Sequence, residues 1–217
     1  MKTIVLAATK GGTGKSTIAT ALAVAAMKDG AKVAILVGDP QQSIAMWAGL
    51  REESNLASPQ VFAVSDINLD IADLRAEGID WCFVDTAPGD AQRLSLIVAG
   101  ADLVVIPVRV SAFDLDAVSP TIEACKELGK PYVFLLNAVI DTKGALYSGM
   151  VKALGQAGPV LDQIVRQRAA YANAVAMGKT GPEVSNKSQA ADCAEEIDAL
   201  WQGVKRRASR AAAKTRA

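Results

Sequence analysis

The chain contains no histidine. It has three cysteines, Cys82, Cys125 and Cys193, too far apart for metal-ligand spacing, so no zinc site can be assembled from sequence neighbours. Cys82 falls in an apolar run and Cys125 in a helical one, where a free thiol packs as a small apolar group. Aromatic residues make up 5% of a sequence that is 51% hydrophobic, so the core must be built from Ala, Val, Ile and Leu. No apolar run approaches the roughly 20 residues needed to span a bilayer. The N-terminus does not show the charged-then-apolar order of a secretory leader. A cytoplasmic protein is expected, and no internal repeat is visible.

A further absence is local. Beyond Asp198 there is no acidic residue, whereas Lys205, Arg206, Arg207, Arg210, Lys214 and Arg216 are all basic. Formal net charge is zero, so the rest of the chain carries 17 basic against 23 acidic side chains. An acidic body with a basic end predicts a polyanionic partner. A length of 217 residues fits one domain, expected over residues 1–207. Residues 208–217, rich in Ala and Arg, are expected to form a basic tail that frays or is disordered.

What is present is an alternation of strand-like and helical runs. Strands are predicted at Thr3–Ala8, Lys32–Val37, Val61–Val64 (a short edge strand), Trp81–Asp85, Leu103–Pro107, Pro131–Leu136 and Val160–Ile164. Helices are predicted at Thr17–Lys28, Ile44–Leu50, Ile67–Glu77, Ala91–Ala99, Asp114–Leu128, residues 145–156 and Lys187–Ala208. Loops are expected at 51–60 and around Gly178, Gly181 and Pro182. The pattern predicts an α/β three-layer sandwich: a mostly parallel, twisted sheet with helices on both faces.

The most informative stretch is Lys10-Gly11-Gly12-Thr13-Gly14-Lys15-Ser16, followed by Thr17. It leaves the first strand and opens an Ala-rich helix. Glycines let the backbone turn its N–H groups inward onto an anion, and the helix N-terminus adds its positive end. Lys15 can then reach β- and γ-phosphates, and the Ser16 hydroxyl can ligate Mg²⁺. The general P-loop pattern places Gly where this chain has Thr9; a second lysine, Lys10, opens the loop instead.

Ligands of an open parallel sheet bind at the carboxyl ends of its strands. Asp39, after the second strand, can orient a water or hold a Mg²⁺-bound one, or serve as the Asp of an Asp-Pro turn. Asp85 ends a buried strand in the Walker-B manner and can reach the Mg²⁺ water shell, or cap the next helix. The loop Thr86-Ala87-Pro88-Gly89 has the freedom a phosphate-sensing switch requires. Asn137 can meet an adenine edge or occupy a turn. Pro182 and Glu183 lie where a base or ribose can pack.

These pieces resemble the ParA/MinD family of ATPases, whose P-loop is a deviant Walker A motif with a signature lysine. The matching stretches are Lys10–Thr17, Asp39-Pro40-Gln41-Gln42-Ser43, Asp85-Thr86-Ala87-Pro88, Asn137, residues 168–178 and the late Ala190…Glu195-Glu196-Ile197 helix. The layout is similar to the short, ParF-like type without an N-terminal helix-turn-helix domain. The sequence departs from the family at Val37, where an acidic residue is frequent, at Ala87, and at Ala138, where Arg or Lys often follows the Asn.

The resemblance implies an ATP- and Mg²⁺-dependent ATPase that sandwiches ATP between two copies. Lys15 would hold the phosphates, Lys10 would cross to the partner's nucleotide, Ser16 would bind Mg²⁺, Asp39 would activate water, and Asp85 would hold Mg²⁺ through water. The ATP homodimer would bind DNA without sequence preference, in a bacterial cytoplasm over the nucleoid. A ParB-like or other adaptor would stimulate hydrolysis and release it, segregating plasmid or chromosomal DNA. Related readings are positioning of a protein cargo, such as a chemoreceptor cluster or a carboxysome, and a membrane-associated ATPase of the MinD kind. Membrane anchoring needs bulky apolar residues opposite the cations, and residues 202–217 offer Val204 and otherwise only alanine. Stable membrane insertion is therefore not expected. Lys205, Arg206, Arg207 and Arg210 are the candidate DNA contacts, with Arg166, Arg168 and Lys187 as possible extensions of that face. An iron–sulfur reductase of the same superfamily is disfavoured, because Cys82 lies within a strand and Cys125 within a helix.

Overall fold

The computed structural model describes residues 1–39, 43–64, 66–87, 89, 91–111 and 116–215. Seven strands form one parallel sheet: β1 (Lys2–Leu6), β2 (Val33–Val37), β3 (Gln60–Ala63), β4 (Trp81–Asp85), β5 (Leu103–Arg109), β6 (Tyr132–Val139) and β7 (Val160–Arg166). Their order is β3-β2-β4-β1-β5-β6-β7, and each neighbouring pair is parallel. The helices are α1 (Lys15–Lys28), α2 (Ser43–Glu53), α3 (Ile67–Ala76), α4 (Ala91–Ala99), α5 (Ser119–Glu127), α6 (Ala145–Ala157), α7 (Ala169–Val175) and α8 (Lys187–Thr215).

The two-residue alternation of a strand sorts side chains between two cores. Ile4 and Leu6 of β1 and Phe83 of β4 join α1, α2, α7 and α8 on one face. Val5, Cys82 and Val84 join α3, α4, α5 and α6 on the other. The three-layer α/β expectation holds. Strands β1, β2 and β4 are buried almost throughout, which is why they read as continuous Val/Ile/Leu runs rather than as alternating ones. The low aromatic content is met by a few placed rings: Trp81 and Trp201 meet edge to face at 4.7 Å. All three cysteines are free and buried.

Most differences from expectation are at element ends. The α2 helix continues into the polar stretch expected as loop because Arg51 turns inward and is buried. The helix expected from Asp114 starts at Ser119, with Pro120 in its first turn, after a 3₁₀ turn over Asp116–Val118; Asp114 itself lies outside the described residues. Strand β6 runs past Leu136, so Asn137 sits within it, and Ala138 adopts φ 52° at a register shift against β7. At seven residues, α7 is too short to show a helical period and went unpredicted.

The last helix does not stop at Ala208 but runs to Thr215. Cys193, Ile197, Leu200, Trp201, Val204 and Ala208 are all buried, a helical stripe that carries α8 along the sheet face. Ala, Arg and Lys beyond it are strong helix formers and extend it. Residues 216 and 217 lie outside the described residues.

Candidate functional site

β1 lies at the centre of the sheet between β4 and β5, so the loop that follows it emerges in the crevice at the carboxyl ends of the strands. The loop takes left-handed backbone at Gly12 (φ 73°) and Gly14 (φ 92°), a conformation in which glycine carries no steric penalty. Gly14 is the N-cap of α1 and supplies no side-chain cap, and the first turn carries no acidic residue. The first N–H groups of α1 therefore stay available to an external anion. By contrast, α3 has Asp66 to accept from its first-turn N–H groups.

Beneath the loop the chemistry converges. Ser16 Oγ donates to Asp85 Oδ2 at 2.6 Å. Asp85 is 1% exposed, and its second oxygen, Oδ1, is buried with no hydrogen-bond partner among the described residues. Burial pushes its pKa up to about 6, against the lowering pull of the Ser16 hydrogen bond and the Lys15 charge, with the Asp39 charge adding to the rise. Lys15 is also buried, and burial lowers its pKa while the Asp85 and Asp39 carboxylates oppose that fall. Asp39 is thus within electrostatic reach of both, at the end of β2. Thr86, just after Asp85, donates to the Leu6 carbonyl at 2.9 Å and pins the end of β4 to β1.

A divalent cation fits this donor set. A serine hydroxyl and a buried carboxylate with one orphaned oxygen are hard ligands suited to Mg²⁺, and an unpaired buried oxygen is costly without a partner. No cluster of three or more His, Cys, Asp or Glu occurs among the described residues.

Two supporting residues escaped the sequence reading. Gly38 donates its N–H to the Asp85 carbonyl at 2.8 Å, and a Cβ at Gly38 would stand 3.0 Å from that same oxygen. Glycine there lets the Asp39 end of β2 close onto the Asp85 end of β4. The Val37-Gly38-Asp39 departure from the family pattern hinted at it. Thr9, the residue that breaks the strict motif, donates through Oγ1 to the Ala117 carbonyl, which ties the loop's entry to the segment after β5.

The two candidate base contacts, Asn137 and Pro182, lie in different surroundings. Asn137 is 8% exposed and donates Nδ2 to the Thr13 carbonyl at 2.6 Å. Its amide is engaged in bracing the phosphate loop, with Gly14 directly beneath it. Pro182 is in a 3₁₀ turn, Gly181–Glu183, whose Gly181 packs on Tyr171 and Cys193. No described contact brings it to residues 10–17. The hollow that does adjoin the loop, about 480 Å³, is lined by Lys10, Gly11, Arg109, Asp141, Tyr147 and Gln167 among others. Lys10 is exposed at its rim. Of the neighbouring motifs, Pro40, Gln41, Gln42 and Pro88 lie outside the described residues.

The basic candidates divide between the two poles of the sheet. Arg168 is occupied by Glu196 and Asp192, at 2.7 and 2.8 Å, beside the carboxyl end of β7, and does not extend the tail's charge. Lys205 pairs with Asp29 at 2.6 Å and lies over the Trp201 ring. Arg206 and Arg210 are exposed. Arg207 and Arg210 line a groove of about 420 Å³ with Lys130 at the amino ends of β5, β6 and β7, the pole opposite the glycine loop.

A glycine loop between a central parallel strand and a helix, with lysine, serine and a buried strand-end aspartate converging on it, defines a P-loop nucleotide-binding protein. The chain belongs to the CobQ/CobB/MinD/ParA nucleotide binding domain family, whose model matches residues 4–181. It is 28% identical over 209 residues to the maintenance of carboxysome distribution protein A of Halothiobacillus neapolitanus, covering 93% of this chain and 95% of that protein. A chain of the MinC:MinD cell division protein complex from Aquifex aeolicus superposes with a TM-score of 0.77 at 18% identity, over 94% of this chain and 96% of that one. The ATP complex of an aspartate-to-alanine variant of Cyanothece McdA does so with a TM-score of 0.67 at 19% identity, over 92% and 96%. The two structures share the fold with this chain.

Proposed function

We propose that the protein is a Mg²⁺-dependent ATPase that positions a cargo in the cell through an ATP-sandwich dimer. The observation that carries this reading is the Ser16–Asp85 pair, with its orphaned carboxylate oxygen, under a loop whose buried lysine lies within reach of two carboxylates. Loop N–H groups and the Lys15 ammonium would hold the β- and γ-phosphates. Ser16 and Asp85 would hold Mg²⁺, which would supply neutralisation of phosphate charge. Asp39, from the end of β2, would orient the attacking water. Lys10, exposed at the rim, would reach the nucleotide of the second copy.

The activity for which one relative is named supports this reading. That relative distributes carboxysomes and matches nearly end to end, which favours a protein cargo; plasmid or chromosome segregation remains the second reading, favoured by the basic end of α8. Both use non-specific DNA as the track and a partner protein, of the ParB kind or another adaptor, to trigger release. The groove at Lys130, Arg207 and Arg210 supports phosphate-backbone binding. The test is calorimetry and light scattering on Asp39→Ala with ATP and Mg²⁺. ATP uptake with a doubling of mass is expected. Absence of uptake, or a single copy at saturating ATP, would overturn the proposal. Co-purification with tagged Asp39→Ala then identifies the adaptor and so the cargo.

A further inference from the structure

The last helix has two faces. Cys193, Ile197, Leu200, Trp201, Val204 and Ala208 are buried and fix α8 along the sheet. Turned the other way is a stripe at three- and four-residue spacing: Asp192, Glu195, Ala199, Gln202, Arg206 and Arg210, every one exposed. Positions so spaced share one side of a helix. The stripe is ordered by charge, with acid first, uncharged residues in the middle and base last.

The usual reasons for such an order do not reach its inner members. The helix macrodipole favours acid near the start and base near the end, but its effect fades within the first and last turn. α8 runs from Lys187 to Thr215, so Glu195 and Arg206 lie beyond that range. A pair within the helix needs opposite charge three or four positions away. Glu195 has Ala191, Asp192, Asp198 and Ala199 there, and Arg206 has Gln202, Gly203, Ser209 and Arg210. Neither makes an ion pair among the described residues, whereas Lys205 meets Asp29 and Arg168 meets Asp192 and Glu196. Beside Glu195 lies a hollow of about 270 Å³ between α8 and β7, with Gln163, Ile164 and Ala199 in its lining. Three carboxylates and two guanidiniums also line it, which leaves it acidic.

We infer that this stripe is a contact surface for a second copy of the chain, with the two α8 helices antiparallel about a two-fold axis level with positions 200 and 201. Glu195 then faces the partner's Arg206, and Arg206 faces the partner's Glu195. Ala199 and Gln202, opposite each other's copies in the middle, place no charge between the helices. The partner's Arg206 reaches the acidic hollow. The two ion pairs stand about 16 Å apart along the helix, which fixes register and direction together. Duplex DNA would be repelled by the acidic half of the stripe, and a basic segment by the basic half. A partner must carry the reverse order of charge, and α8 turned end for end supplies it. Such a contact is isologous and closes on two copies. It does not involve the glycine loop, so it needs no nucleotide and stands apart from the ATPase reading.

The test is sedimentation equilibrium of the nucleotide-free full chain up to about 1 mM, a range in which contacts of millimolar strength register. The parent is expected to pair reversibly, and less as salt rises. Glu195→Arg and Arg206→Glu should each weaken pairing at least about tenfold, because two attractions become two repulsions. Mixed in equal amounts, the two variants should pair with each other about as well as the parent pairs with itself. The Glu195→Arg/Arg206→Glu double variant should recover pairing too. Both positions are exposed, so Tm should stay within about 3 °C of the parent. At the dilution used to read ATP-dependent doubling this screened contact comes apart, so the two associations are measured separately. A parent that stays a single copy throughout, a single variant that pairs as the parent does, or a mixture that fails to recover would each overturn the inference. A parent that stays single while Arg206→Glu alone loses duplex DNA binding would overturn it as well and assign the basic end of the stripe to DNA.

Discussion

Ser16 Oγ stands 2.6 Å from Asp85 Oδ2 and donates to it, tying the first turn of α1 to the last residue of β4. The bond satisfies one carboxylate oxygen and leaves Oδ1 buried without a partner. Such a site costs free energy until a cation or its water shell arrives. The unpartnered oxygen lowers the stability of the ligand-free protein, and a bound cation would offset that cost.

That cost depends on pH. Burial raises the Asp85 pKa from 3.8 to about 6, so the folded protein holds this proton more tightly than the unfolded chain does. Its contribution to stability is full below about 3.8 and is lost as pH rises through about 6. Asp85→Asn is expected to raise the Tm of the ligand-free protein at pH 7.5, by at most about 3 kcal/mol of stability. The gain should shrink steadily toward pH 4.5. The same variant should lose Mg²⁺-dependent ATP binding. An equal Tm gain at both pH values would contradict the account.

Gly14 and Asn137 make a second pair that can be tested. A Cβ at Gly14 would lie 2.2 Å from Asn137 Nδ2, at φ 92°. Gly14→Ala should lower stability by about 1–3 kcal/mol and weaken nucleotide binding more than Asn137→Ala, which removes only the brace on the Thr13 carbonyl. Asn137→Ala should weaken ATP and GTP binding alike in isothermal titration. A loss confined to ATP would return Asn137 to reading the adenine edge.

The residues most legible in the sequence were those with a local signature. Lys10–Ser16 announced itself because glycine, lysine and serine at that spacing follow a strand and open a helix. Trp81–Asp85 appeared with its observed bounds because a fully buried strand reads as one apolar run. Arg51 was illegible: in a polar Arg-Glu-Glu stretch it looks like a solvated helix end, and its main partners, Glu183 and the Gly178 carbonyl, are 132 and 127 residues away. The role of Gly38 depends on a neighbouring strand, and that of Asn137 on a loop 124 residues distant. The extent of α8 was missed because Ala and Arg fit a frayed tail and a helix equally well without the core beneath Val204 and Ala208 in view.

Variants at Lys10, Lys15 and Asp39 test whether binding and the later steps use different residues. Lys15 is buried, whereas Lys10 is exposed. Lys15→Ala should abolish ATP uptake by calorimetry. Lys10→Ala should keep uptake within about threefold but lose the ATP-dependent doubling of mass, since one exposed lysine adds little to a monomer's own site. Asp39→Ala should bind, dimerise and not hydrolyse. Normal turnover by Asp39→Ala would remove it from the catalytic assignment.

The two-pole arrangement makes the last prediction sharp. Lys130, Arg207 and Arg210 line a groove at the amino ends of β5, β6 and β7, while the glycine loop sits at the carboxyl end of β1. Lys130 and Arg207 donate to the carbonyls of Ala101 and Val160 at 3.3 and 3.4 Å, long bonds that a phosphate can displace. Nucleotide cannot touch this groove within one copy, so ATP would promote DNA binding by pairing two grooves rather than by reshaping one. Lys130→Ala/Arg210→Ala should leave ATP affinity and dimerisation unchanged. DNA affinity should fall on any duplex sequence, and the slope of log affinity against log salt should flatten by about two per copy. Lys205→Ala should do less, because that lysine already faces Asp29. An unchanged salt slope in the double variant would move the DNA surface away from this end of the molecule.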